Sequence, residues 1–410
     1  MSTNSTQTTP ARKPKKPYPD FPLFPHASGC WAKKIRGKLH YFGSWKDDPD
    51  GSRALERFNR EWSFLSQGKV PPDVDQSDGC TLRTLANSFL RLKEDHVTSG
   101  DLGSRSFLNY HKTCQMIISF FGADRRLDDL RTLDFQEFRS ELSRQFCVTT
   151  LNSQINLVRI VLKFAHDERL IDQPINFGQS FNKPAMKSIR KHRRENGSMM
   201  FERDECLKII DAADPFLKSM FLLSLNCGFG NIDCGSLAHD SVDFENGFVT
   251  HARPKTETFR RCPLWPESIE SLKLAISLRP DPVDQSGEGL CYLTSRGNPF
   301  TRLSPNPSIK SEASESSVCV PCDSLAPQFS RLLKRLGING RRRGFYSGRR
   351  TFATIASESK DQVAVDAIMG HSSNSMSELY RQRISDERLQ AVTGTVRAWL
   401  WPRSEEGGAA

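Results

Sequence analysis

Four successive stretches between Thr81 and about Leu170 carry apolar residues three or four positions apart, and this spacing constrains the fold more than any other feature. Residues at that spacing lie on one face of an α-helix. The four apolar stripes are Leu82, Leu85, Phe89 and Leu92; Phe107, Tyr110, Cys114, Ile117 and Phe121; Phe135, Phe138, Leu142 and Phe146; and Leu151, Ile155, Val158, Leu162 and Ala165. Together they predict a helical bundle over residues 80–175.

The segments on either side of this bundle have the composition of linkers. Residues 69–79 are rich in Pro and Asp, and residues 176–196 are basic. The cations of the second segment include Lys187, Arg190, Lys191, Arg193 and Arg194. A basic linker between two domains can straddle a nucleic-acid duplex by contacting phosphates, whereas a solvated tether is the alternative.

The N-terminal part predicts a small β-rich unit preceded by a tail. Residues 1–25 are rich in Pro, Thr and Lys, a composition typical of disorder. Residues 26–68 contain short strand-like runs broken by Gly37 and Gly43, and then an amphipathic helix. The cations of the strand-like region are Lys33, Lys34, Arg36 and Lys38. Such a sheet can lie on DNA, or it can be a minor structural appendage.

The remainder, residues 197–402, predicts one mainly helical domain. It contains a predicted hairpin in "VDFENGFVTHARPKTETFRRCPL", with Asn246 and Gly247 at one turn. Residues 280–324 are rich in Pro, Ser and Asp and predict a flexible insertion. The fold class expected for the whole chain is therefore mainly α with small β elements (α+β).

The charge distribution favours a polyanionic partner. Lys and Arg total 58 against 48 acidic residues, a formal net charge of +10. Between Asp323 and Glu358 the chain has no acidic residue, and the cations there are Arg331, Lys334, Arg335, Arg341, Arg342, Arg343, Arg349 and Arg350. A run of residues with only positive charge is expected where phosphates are bound, although a solvated basic loop gives the same pattern.

The compartment and the cysteines are consistent with a DNA-binding role. The N-terminus lacks an apolar signal segment and no apolar run is long enough to cross a bilayer, so a cytoplasmic, nucleoid-associated protein is expected. The 11 cysteines are scattered, and the pair Cys319 and Cys322 has no second pair with which to hold zinc. The expectation is therefore no metal and no cofactor.

Three short motifs in the C-terminal part carry chemistry. Arg349 and Arg350 stand near the start of a predicted helix in "GRRTFATIA", where guanidinium groups and free N–H groups suit a phosphate. His371 follows Gly370 in "IMGHSSNSMSELY", and Tyr380 comes nine residues later. Lys255 lies in the predicted hairpin. Each residue alone is more often structural or solvated, but their combination in this order is specific.

In this order the motifs resemble those of the tyrosine recombinases of the phage-integrase type. The family has an R-H-T-F-A-T-like run, an L-G-H-S-S run and a nucleophilic tyrosine nine residues after that histidine. The resemblance implies catalytic roles for Tyr380, Arg349, His371 and Lys255. It also implies three parts in family order: an arm-like unit (26–68), a core-binding, SAM-like bundle (80–175) and a catalytic domain (197–402). The implied partner is double-stranded DNA, bound by a homo-oligomer of two or four copies.

Two catalytic positions depart from the family pattern. The segment "NCGFGNIDCGSL" has Asp233 at the acidic position but Gly230 where the family has its first arginine. The histidine expected three residues before Arg349 is Tyr346. The residues considered as replacements are Arg253, Arg260, Arg261 and Arg350 for the arginine, and Tyr346 itself as a hydrogen-bond donor.

The sequence therefore predicts a site-specific DNA recombinase or integrase that works through a 3′-phosphotyrosyl intermediate without metal or ATP. The alternatives are a DNA-binding protein of the same fold that does not cut, and an unrelated helical interaction protein. DNA contacts are expected from the cations of the β-rich unit, from those of the second linker and from Arg341, Arg342 and Arg343. The C-terminal stripe that ends at Leu400 is expected to pack on its own domain or on a neighbouring copy.

Overall fold

A computed structural model of the chain describes residues 14–68, 79–310, 317–338, 342–371, 380 and 383–402. It divides into two compact units, Met1–Gly79 and Cys80–Ala410. Among the described residues, helices predominate and the strands form three small antiparallel sheets. The predicted fold class, mainly α with small β elements, is confirmed.

The first unit is a three-stranded sheet with one helix. Its elements are β1 (Phe24–Pro25), β2 (Cys30–Ile35), β3 (Lys38–Ser44) and α1 (Ser52–Gln67). Phe21 and Leu23 are buried in its core beside Trp31. The prediction that residues 1–25 are disordered is therefore wrong for residues 14–25, because two apolar side chains in a Pro-rich segment bury enough surface to fix it. Residues 1–13 lie outside the described residues.

The second unit begins with the predicted bundle. Its helices are α2 (Leu82–Thr98), α3 (Ser104–Phe121), α4 (Thr132–Gln145) and α5 (Val148–Asp167). These four helices confirm the bundle predicted from the four apolar stripes. Thr81 caps α2, because its hydroxyl accepts a hydrogen bond from the Thr84 amide at 3.2 Å. The second linker contains a helix that was not predicted, α6 (Met186–Glu195), on which Ile189 is buried. One buried apolar position among many cations gives no periodicity to detect.

The C-terminal region folds around one largely buried helix. Its elements are α7 (Arg203–Ala212), α8 (Pro215–Cys227), α9 (Asn231–Gly235), β4 (Val242–Asp243), β5 (Phe248–Arg253), β6 (Thr258–Pro263), α10 (Pro266–Ser277), β7 (Thr301–Lys310), β8 (Ser317–Asp323), α11 (Leu325–Arg335), α12 (Tyr346–Ala356), α13 (Gln362–Met369) and α14 (Asp386–Leu400). Helix α8 is the buried one, and α10 and α12 pack on it. The predicted hairpin is confirmed as β5 and β6, in which His251 pairs with Arg260.

The segment 280–324 was predicted to hold a flexible insertion, and some of its described residues pack in the core. Cys291, Tyr292 and Phe300 are buried in the core, and the Tyr292 hydroxyl lies 2.7 Å from the Ser219 hydroxyl of α8. Strands β7 and β8 form an antiparallel hairpin in the same segment, and residues 311–316 lie outside the described residues. Isolated buried aromatic residues in Pro-rich and Ser-rich sequence leave no period from which packing can be predicted.

The C-terminal helix α14 packs on its own domain. Leu389, Val392, Val396 and Leu400 are buried in the C-terminal core. The Trp265 indole donates to the Thr393 carbonyl at 3.0 Å. The sequence left open whether this helix packs on its own domain or on a neighbouring copy, and in the structure it packs on its own domain. None of the described helices is both long and apolar enough to cross a membrane.

Candidate active site

Asp233 stands at the centre of the candidate site. It lies on the short helix α9 and is almost fully buried. Its Oδ2 accepts from the Gly230 amide at 2.7 Å, and its Oδ1 accepts from Arg260 Nη2 at 2.8 Å. Arg349 Nη1 lies 4.0 Å from Oδ2. One buried carboxylate is therefore shared by two guanidinium groups, which compensates a charge that would otherwise be costly to bury.

Arg260 reaches this carboxylate from the second strand of the hairpin. Side chains alternate between the two faces of a strand, so Arg260 faces the core together with Cys262 while Arg261 faces away. The guanidinium of Arg260 is only 2% exposed and lies 4.6 Å from the ring centre of Phe229. Its Nε donates to the His251 carbonyl at 3.3 Å. Its Nη1 is buried with no hydrogen-bond partner among the described residues.

The Arg349 guanidinium is positioned by hydrogen bonds to two backbone carbonyls. It is 2% exposed on α12 and donates to the Gly228 carbonyl and, at 2.7 Å, to the Met369 carbonyl. The preceding residue, Gly348, lets α12 approach α8 closely, because a Cβ there would lie 2.6 Å from the Ser224 hydroxyl. Burial lowers the pKa of Arg349 from its usual value, but an arginine remains charged in proteins.

His371 joins the site because Gly370 ends α13. Gly370 has φ 61, a left-handed conformation that terminates the helix. His371 then lies with Nε2 3.2 Å from Arg349 Nη2 and Nδ1 3.2 Å from Asp366 Oδ1. A guanidinium only donates, so Nε2 accepts and Nδ1 carries the proton that is donated to Asp366. Geometry therefore assigns the neutral Nδ1–H tautomer to His371.

Gly370 also lies against the two inward-facing arginines of the hairpin. A Cβ at this position would be 2.5 Å from Arg260 Cδ and 3.2 Å from Arg253 Cδ. Arg253 Nη1 donates to the Gly370 carbonyl at 3.0 Å. The tertiary structure thus brings Arg253, Arg260, Arg349 and His371 together from β5, β6, α12 and the end of α13.

The two substituted family positions face each other. The ring of Tyr346, the first residue of α12, lies against Gly230, since a Cβ on Gly230 would be 3.4 Å from the Tyr346 atoms Cδ2 and Cε2. Tyr346 is 48% exposed. The same Cβ would be 3.3 Å from Asp233 Oδ2. The two substituted positions are therefore neighbours in the structure.

Two other replacement candidates lie elsewhere. Arg261 donates twice to Asp386 at 2.9 Å and stacks 3.8 Å from the ring centre of Phe248. Arg350 is exposed, with its guanidinium 5.8 Å from the ring centre of Tyr346. The guanidinium groups beside Asp233 are those of Arg260 and Arg349, and not those of Arg261 or Arg350.

Lys255 and Tyr380 are both exposed. Lys255 lies in the turn between β5 and β6, where the Arg253 carbonyl accepts from the Thr256 and Glu257 amides at 3.1 Å and 2.8 Å. Tyr380 is 77% exposed. Residues 372–379 and 381–382, on either side of Tyr380, lie outside the described residues.

The cations expected to contact DNA differ in their surroundings. Lys34, Arg36 and Lys38 are exposed, and Lys33 lies 5.4 Å from the ring centre of Phe58. The exposed cations of α6 are Lys187, Arg190, Lys191, Arg193 and Arg194. They surround one buried side chain, so the helix presents a basic surface to solvent.

Two arginines of the basic segment between Asp323 and Glu358, Arg342 and Arg343, form contacts within the chain. Arg343 donates to both carboxylate oxygens of Glu205, at 2.8 Å and 2.7 Å. Arg342 donates to the Cys147 sulfur at 2.8 Å, and Cys147 precedes the first residue of α5. Arg341 lies outside the described residues. Phosphate binding by Arg343 would therefore require the loss of an ion pair, which its sequence position gave no reason to expect.

No protein-family model and no curated protein matches this chain. Solved structures that resemble it are DNA complexes of integrases. The Tn1549 transposon integrase in complex with transposon right end DNA has a TM-score of 0.54 at 14% identity, covering 78% of this chain and 100% of that one. A lambda integrase dimer bound to a COC′ core site has a TM-score of 0.51 at 15% identity, covering 89% of this chain and 96% of that one.

A lambda integrase tetramer bound to a Holliday junction also resembles this chain in structure, with a TM-score of 0.51 at 14% identity, covering 89% of this chain and 98% of that one. The chain therefore has the tyrosine recombinase fold that its motifs predicted. At these identities the likeness establishes the fold, and the chemistry has to be argued from the residues of the site.

Proposed function

We propose that this chain is a site-specific DNA strand transferase that uses Tyr380 as its nucleophile. The observation that carries the proposal is a cluster on a fold shared with DNA-bound integrases. In it Arg260 and Arg349 share the buried Asp233 carboxylate, His371 contacts Arg349, and Arg253 binds the Gly370 carbonyl. Several guanidinium groups in one buried site suit the non-bridging oxygens of a phosphodiester, on which charge increases in the transition state.

The proposed reaction is a transesterification. The Tyr380 oxygen attacks the scissile phosphorus, the bond to the 5′-oxygen breaks, and a 3′-phosphotyrosyl ester forms. Lys255, on the exposed hairpin turn, donates a proton to the leaving 5′-oxygen as general acid. The reverse attack by a 5′-hydroxyl regenerates the phosphodiester and frees the tyrosine. The ester retains the energy of the broken bond, so rejoining needs no ATP.

Arg349 and His371 bind the phosphate in this proposal. Arg349 Nη2 exchanges its contact with His371 Nε2 for a non-bridging oxygen, and this releases His371 Nε2. His371, oriented by Asp366, then donates from Nε2 once it is protonated there. Asp366 keeps the ring in this orientation through its contact with Nδ1.

The remaining parts are assigned by the same proposal. Residues 26–68 form the arm-like unit, residues 80–175 the core-binding bundle and residues 197–402 the catalytic domain. Exposed cations of the sheet and of α6 supply sequence-independent phosphate contacts to double-stranded DNA. Two or four copies assemble on the DNA, as in the lambda integrase dimer on a core site and tetramer on a Holliday junction.

A trapping experiment tests the proposal. The full chain is mixed with fragmented DNA from its source genome, nicked so that rejoining fails, and then denatured and resolved for covalent adducts. An adduct that is absent with Tyr380→Phe supports the proposal, and sequencing the trapped DNA gives the target site. Salt-sensitive DNA binding without any adduct would instead support a protein that binds DNA and does not cut it, the alternative favoured by the Gly230 and Tyr346 substitutions.

A further inference from the structure

We infer that Arg260 supplies the second phosphate-binding guanidinium of the reaction, in place of the arginine that is missing at position 230. This inference rests on the proposed strand-transfer function and names a further catalytic residue for it. The phosphate-binding guanidinium then comes from β6, the second strand of the hairpin, and not from position 230 at the start of α9.

The first support is the way Arg260 is anchored. Its Nη2 binds Asp233 at 2.8 Å and Arg349 Nη1 lies 4.0 Å from the other oxygen of that carboxylate. Asp233 therefore holds two guanidinium groups on one side of the site at fixed separation. Once a phosphate reaches the site, a pair of cations held in this way can meet two of its oxygens.

The second support is an unused donor. Arg260 Nη1 is buried and has no hydrogen-bond partner among the described residues, although Nη2 and Nε are both bonded. A buried donor without a partner is unfavourable, and such groups are uncommon in folded proteins. A phosphate oxygen would satisfy it. Arg253, by comparison, places its Nη1 on the Gly370 carbonyl.

The third support is the vacancy at Gly230. The Tyr346 ring takes the space next to Gly230, since a Cβ there would lie 3.4 Å from two atoms of the ring. Arg260 and Arg349 are each 2% exposed, and phosphate access therefore requires a side chain to move. Tyr346 is half exposed at the first residue of α12, and the inference includes its rotation away from the site when DNA binds.

The test uses the DNA site recovered by trapping, in two forms. One has an ordinary scissile phosphate, and the other has a methylphosphonate, in which a neutral methyl group replaces one charged oxygen. Wild type and Arg260→Ala are compared for adduct formation on both. On phosphate, Arg260→Ala is expected to be slower by roughly a hundredfold or more, as for the loss of one oxyanion donor. On methylphosphonate the deficit is expected to fall below about tenfold, since less charge needs to be neutralised.

Controls separate this role from a structural one. Arg388→Gln removes an arginine bound to a carboxylate on the surface, at 2.7 Å from Asp361, and is expected to cleave at the wild-type rate. Arg260→Lys keeps a cation if Arg260→Ala fails to fold, and it should show the same selective recovery. The triple variant Gly230→Arg, Tyr346→His, Arg260→Gln returns the guanidinium to position 230 and is expected to regain part of the rate.

The outcomes are distinct. A folded Arg260→Ala or Arg260→Lys that is equally slow on both substrates, or as fast as wild type on phosphate, overturns the inference. Selective methylphosphonate recovery in Arg253→Ala but not in Arg260→Ala assigns the role to Arg253 and also overturns it. Wild type that gives no adduct on either substrate defeats the proposed function itself, and the inference with it.

Discussion

Arg260 binds Asp233 through a 2.8 Å hydrogen bond across 27 positions of sequence. The two residues lie on different elements, β6 and α9, and both are buried. Asp233 is in turn 4.0 Å from Arg349. This relationship joins the hairpin to the two helices that carry the recognised motif residues, and it has consequences for stability as well as for chemistry.

Asp233→Asn is expected to destabilise the chain strongly. Loss of one partner of a buried ion pair leaves an uncompensated charge and lowers the free energy of unfolding by roughly 3–5 kcal/mol. Asp386→Asn is the matched control, because it breaks the exposed pair with Arg261 and is expected to change the free energy by about 0–1 kcal/mol. Urea unfolding of both variants compares them. Equal effects of the two substitutions would contradict the burial argument.

Stability is expected to fall as the pH drops below about 6.5, the usual pKa of histidine in an unfolded chain. Burial, and next the charge of Arg260, lower the pKa of His251 in the folded chain. The unfolded chain therefore binds more protons at this residue, so protonation favours unfolding. Melting temperatures measured from pH 8 to pH 5 check the slope, and His251→Gln should reduce it. In Arg260→Gln, histidine NMR should show a higher His251 pKa, and an unchanged value would argue against their proximity.

Cys147 is expected to be the most reactive thiol in mildly acidic solution. Hydrogen bonds from the Thr149 and Thr150 side chains are the main causes that lower the pKa of Cys147 to about 5, and Arg342 adds a smaller effect. The thiolate therefore forms as the pH rises through about 5. Burial raises the pKa of Cys114 to about 12 and of Cys80 to about 11, so these thiols stay protonated at neutral pH.

Iodoacetamide labelling followed across pH, with peptide mapping by mass spectrometry, measures this difference. Labelling of Cys147 should reach its plateau by about pH 6. Thr149→Val should shift the profile to higher pH, whereas Arg342→Gln should shift it less. A profile for Cys147 with its midpoint near pH 9 would show that the thiolate is not stabilised.

The C-terminal helix is expected to stabilise its own chain. Leu400→Ala removes a fully buried side chain of α14 and should lower the free energy of unfolding by roughly 2–5 kcal/mol. The loss should be independent of protein concentration, since the helix packs within one chain. Gln390→Ala, at an exposed position of the same helix, is the control. Destabilisation that disappears at high concentration would instead indicate docking on a second copy.

The exposed face of α6 is expected to contribute to DNA affinity without sequence preference. The double variant Lys187→Gln, Arg190→Gln removes two exposed cations. If both contact phosphates, the slope of log affinity against log salt concentration should become shallower by about 1.8. Arg388→Gln with Arg397→Gln removes two cations of α14 that are paired with Asp361 and Glu267, and it should leave the slope unchanged. Fluorescence anisotropy at several salt concentrations measures both.

The sequence by itself determined the elements whose apolar spacing is regular and the motifs whose residues are close together. Helices α2 to α5, the hairpin and the helix end at Gly370 follow from local pattern and turn chemistry, because these depend on neighbours a few positions away. The recombinase fold was predicted from the resemblance of the motifs around Lys255, Arg349, His371 and Tyr380 to those of the tyrosine recombinases.

Only the tertiary structure decided which arginine stands beside Asp233. The sequence offered Arg253, Arg260, Arg261 and Arg350 without distinguishing them, and strand alternation could have separated only Arg260 from Arg261. The choice depends on the packing of β6 against α9 and α13, and on the space that Tyr346 takes at Gly230. Such long-range contacts are set by the shape of the whole core, and no local period in the sequence encodes them.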